Sequence, residues 1–182
     1  MTEPPTLAAK PGMTTPLSPL LRKAQRLGLG PDELELLAVQ RGCRHYSAGS
    51  ETDLPRVSEY EFSNEELAIA LLSTALRYEP HSIRCGAAML GAPGNDPHRL
   101  ARLAVRERSE IPVRHVAEAA RRFEPENPFG EALVGGLPDA PLPRPGVLPH
   151  PTRFVAMTGF TRKGPGLVVE WLRPCTSRRL PP

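Results

Sequence analysis

The sequence predicts a mainly α protein: a bundle of stacked helical hairpins, followed by a proline-rich linker and a C-terminal β-hairpin or extended tail. Three observations carry this expectation. Apolar residues recur every three to four positions through most of residues 17 to 137, the signature of helices with one buried face. Pro80, Pro97, Pro112 and Pro128 stand 17, 15 and 16 residues apart, each ahead of such a run. After residue 152 the apolar period drops to two, as in strands.

Residues 1 to 16 mix Pro, Thr and Gly without periodicity and read as a flexible leader. Leu17, Leu20, Leu21, Ala24 and Leu27 then fall on one helical stripe. "GLGP" at 28 to 31 ends that helix, because Gly suits a helix C-terminus and Pro31 the first turn of the next. The second helix runs from Pro31 to about Arg41, with Leu34, Leu37 and Ala38 inward. This pair superficially resembles the first two helices of a helix-turn-helix domain. A recognition helix is missing, however: the following "CRHYSAGSETDLPRVSEYEF" is polar and broken by Gly49 and Pro55, so a loop is expected instead of a DNA reader.

Ser63 and Glu66 form a capping box, in which each side chain answers the other's backbone N–H. The helix it opens, "EELAIALLSTAL", is apolar around most of its circumference and is expected at the centre of the core. Beyond it, the four spaced prolines mark helix starts, since a missing N–H costs nothing at the first helical position. Asp96 and Asn127 stand before two of them as N-caps. The inward stripes are then Ile83, Ala87 and Leu90; Leu100, Leu103 and Ala104; Val113, Val116, Ala117, Ala120 and Phe123; and Phe129, Leu133 and Leu137. A hairpin about every 32 residues fits both a repeat-like stack and an irregular bundle. Ala87, Ala104, Ala119 and Gly135, each seven after its proline, would suit close helix approach in the stack.

The domain plan is therefore a leader over 1–16, a helical domain over 17–137, a linker over 138–152 rich in proline and semi-rigid, a hairpin over 153–173 and a tail over 174–182. Within the hairpin, "RKGPG" supplies the turn. Two strands alone are marginal in water, so this hairpin must dock on the helices, pair with another chain or order on binding.

Charge narrows the function classes without choosing one. The 182 residues carry a net +3, and residues 80 to 123 hold eight Arg against four acidic residues. Cys43, Cys85 and Cys175 are odd in number and lack a C-x-x-C pair, so neither a disulfide framework nor a zinc module is expected, and a cytoplasmic location fits. No stretch approaches the roughly 20 apolar residues of a membrane span. His81, His98 and His115 lack partner ligands at metal spacing. No phosphate-cradling loop, nucleophile elbow or carboxylate pair is found, so no catalytic residue, metal or cofactor is assigned. By elimination the expected function is a helical scaffold or adaptor that binds another macromolecule, with a protein as the partner. Phe154, Phe160, Arg162, Lys163 and Trp171 are its candidate contacts; the alternative role for Trp171 is to pin the tail to the helices. A second reading is association with nucleic acid through Arg99, Arg102, Arg106, Arg114 and Arg121, which would be salt dependent and sequence independent. Surface ion pairing, for example Glu110 with Arg114, accounts for the same charges.

Overall fold

Proline and short capping side chains start the helices, and the structure, a computed structural model, describes residues 17–44, 55–73, 80–139, 160–163 and 168–175. The expected leader, the expected linker beyond Asp139, Phe154, Ala75 and Leu76, which the sequence assigns to the third helix, and the expected tail beyond Cys175 lie outside the described residues. Among the described residues seven helices and two strands follow in order: α1 (Pro19–Arg26), α2 (Pro31–Gln40), α3 (Asn64–Leu71), α4 (Pro80–Leu90), α5 (Pro97–Arg106), α6 (Glu110–Phe123), α7 (Pro128–Gly135), β1 (Phe160–Lys163) and β2 (Val168–Trp171). The protein is mainly α, with helices packed on helices.

The local signals act as the chain chemistry dictates. Pro19, Pro31, Pro97 and Pro128 occupy first-turn positions. Ser63 Oγ accepts from the Glu66 N–H at 3.2 Å while Glu66 Oε2 accepts from the Ser63 N–H at 2.9 Å. Asp96 and Asn127 accept from the N–H groups of His98 and Phe129. Pro112 departs from the expected pattern: α6 begins two residues earlier, at Glu110. Its missing N–H is still harmless, because the first four N–H groups of a helix have no partner inside it, and the first return bond runs from Val113 to the Ser109 carbonyl.

α3 is the hub, packing against α1, α2, α4 and α5. Leu67, Ala68, Ile69, Ala70 and Leu71 are all buried, so its whole circumference serves the core. The tight sequential pairs are α3 with α4 and α6 with α7, and α5 lies across both through α3 and α7. Helix approach is closest where a side chain is absent. A Cβ on Gly86 of α4 would sit 2.8 Å from Leu72 Cγ, and one on Gly130 of α7 would sit 2.6 Å from the Arg121 nitrogen of α6. The four small residues aligned by proline spacing are not equivalent: Ala87 and Ala104 are buried, whereas Gly135 faces open space.

Most expected inward residues are buried, Leu20, Leu34, Ile83, Leu100, Val113 and Leu133 among them. Phe123 is not. It is 39 % exposed at the end of α6, where the Arg122 guanidinium lies 5.4 Å from its ring centroid. At the C-terminal end, β1 and β2 pair antiparallel with Phe160 opposite Trp171 and Lys163 opposite Val168. β2 packs on α6, so the hairpin docks on the helical body.

Candidate functional site

Of the five candidate arginines Arg99, Arg102, Arg106, Arg114 and Arg121, four are ion-paired within the fold. Arg99 faces Glu65 of α3 at 3.7 Å, and Arg106 Nε donates to Glu107 at 2.9 Å. Arg121 holds Glu118 at 2.7 Å and reaches Glu131 of α7 at 3.6 Å. Arg114 pairs with Glu118 and Asp139, in place of the Glu110 partner expected from spacing. Its guanidinium also donates to the Leu137 and Pro138 carbonyls at 3.0 and 2.9 Å. With its side chain only 16 % exposed, Arg114 works as a clamp on the end of α7. Among these five arginines, Arg102 is the one for which no ion pair is found among the described residues.

Glu107 is the buried charge of this region, with its side chain 1 % exposed. One carboxylate oxygen accepts from the Leu20 N–H at 3.2 Å and the other from Arg106. The first contact places negative charge against the first turn of α1, where helix N–H groups are unpaired and the dipole is positive. Ser18 Oγ takes the neighbouring Leu21 N–H. The end of α5 thus fixes the start of α1, across 87 residues of sequence.

The most elaborate local construction is a clasp formed by residues 171 to 175. Trp171 is 2 % exposed. Its indole N–H donates to the Ala87 carbonyl of α4 at 3.1 Å, and its ring meets Phe129 of α7 edge-on at 5.9 Å between centroids. Gly91 makes room, since a Cβ there would lie 2.9 Å from the indole carbons. Arg173 stacks over the same ring with its guanidinium carbon 4.6 Å from the centroid. That guanidinium also grips both oxygens of Glu124, the residue that ends α6. Pro174 is buried, and the Cys175 N–H donates to the Gly42 carbonyl at 3.1 Å. Trp171 is therefore a contact within the chain.

Phe160, Arg162 and Lys163 lie on β1, paired with Trp171, Val169 and Val168 of β2. Among the described residues β1 has one partner strand, and its other edge carries N–H and C=O groups that a further strand could meet. A cleft of about 340 Å³ runs beside the clasp between Arg44, Pro93, Glu170 and Cys175. Exposed large apolar side chains among the described residues are scattered: Tyr60 in the turn before α3, Val105 on α5 and Phe123 on α6.

Among the described residues no three His, Cys, Asp or Glu side chains gather in a metal-binding cluster. Burial lowers the pKa of His115, and it lowers that of Arg41, with Glu59 and Glu66 opposing; Arg41 bridges the Val57 carbonyl and Asn64. No helix among the described residues is long and apolar enough to cross a membrane. In comparisons with known proteins, no family model, no curated protein and no solved structure matches this chain.

Proposed function

We propose that this protein is a non-enzymatic helical adaptor of the cytoplasm that captures another protein at the outer edge of its C-terminal hairpin. One observation carries the reading: the clasp at Trp171 and Arg173 roots β2 on α4, α6 and α7, so that among the described residues β1 is the outer strand. An extended segment of a partner adds to such an edge by main-chain hydrogen bonds, with side chains supplying selectivity. Arg162 and Lys163 on that strand give it a preference for acidic segments.

The competing reading, phosphate contacts from the arginine helices, has less support because Arg99, Arg106, Arg114 and Arg121 already hold carboxylates. A single experiment separates the two. Full-length protein is used to capture partners from host extract, alongside Arg162→Glu with Lys163→Glu and, separately, Arg102→Glu with Arg106→Glu. Loss of a captured protein with the first pair, and retention with the second, supports the adaptor. Salt-sensitive binding of generic RNA or DNA that disappears only with the second pair overturns it.

A further inference from the structure

The fold gathers cysteines that the sequence keeps far apart. Cys43 follows α2, its N–H closing that helix on the Ala38 carbonyl, and Cys85 lies within α4. The two helices pack together, and Ser82, one turn before Cys85, hydrogen-bonds to Glu35 of α2. Inside this seam Cys43 and Cys85 are both enclosed, at 5 % and 0 % exposure, near enough for each thiol to act on the other electrostatically. A disulfide between them needs Cβ atoms about 3.5–4.5 Å apart, and the packing of α2 on α4 brings the two segments together.

Two features keep the pair reduced. The contact with Cys43, together with burial, raises the pKa of Cys85, so the thiolate that would react is scarce. The second is a physical cover. The Cys175 N–H donates to the carbonyl of Gly42, the residue before Cys43, and the Cys175 backbone lies where a Gly42 side chain would begin. The last residue of the clasp thus rests on the turn that carries Cys43.

We propose that Cys43 and Cys85 form a redox-active dithiol gated by the C-terminal clasp. With residues 171 to 175 docked the pair is shielded. When they lift, Cys43 is reached first, because it lies in the turn beneath the clasp while Cys85 is enclosed within α4. The Cys43 thiolate attacks a small disulfide of the oxidised glutathione class, forming a mixed disulfide and releasing one thiol. Cys85, as its thiolate, then attacks the Cys43 sulfur and releases the second thiol. Two protein thiols and one small disulfide become one protein disulfide and two small thiols, with two electrons passing to the reagent. The product fastens the end of α2 to α4. Disulfides of this kind in reducing compartments are transient and sensory.

The test uses the full chain and oxidised glutathione as the probe, with Trp171 emission reporting the clasp. In wild type, Cys175 is modified quickly while Cys43 and Cys85 react slowly. Trp171→Ala, and Arg173→Glu, which sets like charge against Glu124, raise the Cys43 rate at least about tenfold by increasing the opened population. Non-reducing peptide mapping then finds Cys43 joined to Cys85, also in Cys175→Ser. Circular dichroism shows which variant keeps its helices. Wild type in sub-denaturing urea gives the same answer without substitution, the Trp171 shift and Cys43 labelling sharing one midpoint. The proposal is overturned by an opened clasp that leaves the Cys43 rate unchanged. It is equally overturned by products confined to glutathione adducts or Cys43–Cys175 links.

Discussion

Arg108 holds φ at +56°, a left-handed conformation that side chains other than those of Gly, Asn and Asp rarely adopt. It does so because it closes α5: its N–H donates to the Val105 carbonyl and the Ser109 N–H to the Ala104 carbonyl, the paired bonds of a Schellman cap. Gly28, with φ +75°, closes α1 in the same way without strain. Arg108→Gly is therefore expected to raise stability, by up to about 1 kcal/mol, read as a higher urea midpoint with an unchanged slope. The adjacent Glu107 gives the opposite result. Glu107→Ala strands the Leu20 N–H and is expected to cost about 1–3 kcal/mol, whereas Glu107→Gln keeps an acceptor and costs less, by the same denaturation measurement. These two residues also mark what the sequence allows to be read. Ser63, Asp96 and Asn127 were legible because a cap meets its partner within three residues. Glu107 and Arg114 were not, because their partners lie 87 and about 24 residues away and no local rule points to them.

At the scale of an element, α4 shows how a helix end is finished by distant parts. Its last four carbonyls would be unpaired in isolation. The Gly91 and Ala92 N–H groups take Ala88 and Met89, Asn95 Nδ2 donates to Met89 and Leu90, and Trp171 takes Ala87. Asn95→Ala is expected to cost about 1–2 kcal/mol in thermal or urea unfolding. Trp171 is the protein's single tryptophan, so its fluorescence reports this docking alone. Gly91→Ala places a methyl against the indole, and its expected signature is a red-shifted, more quenchable emission with helical circular dichroism retained. The helix starts of this region were legible from Pro80, Pro97 and Pro128, since proline acts locally on its own φ and N–H. The pairing was not: proline spacing gives element length, whereas partner choice follows from the apolar circumference of α3 and the closeness allowed by Gly86 and Gly130. Phe123 illustrates the same limit, because a helical stripe extended to its last residue overshoots the core.

For the whole molecule, burial couples stability to pH. Burial lowers the pKa of His115 from its ordinary 6.5, so the folded state favours the neutral imidazole and the unfolded chain binds more protons below that pH. The stabilisation is complete above about pH 6.5 and declines as pH falls from there toward the folded value. Melting temperature is thus expected to drop between pH 7.5 and 5.5, and His115→Gln is expected to flatten that drop.

The clasp has a consequence for how the protein comes into being. A ribosome delivers the chain from its N-terminus, and early segments fold as they emerge, so the Ala87 carbonyl and the hollow above Gly91 exist before the indole that fills them. Throughout synthesis of the proline-rich stretch, the nascent helices must stand with an empty socket and an uncovered Cys43. The socket is filled and Cys43 covered only when residues 171 to 175 arrive and lock.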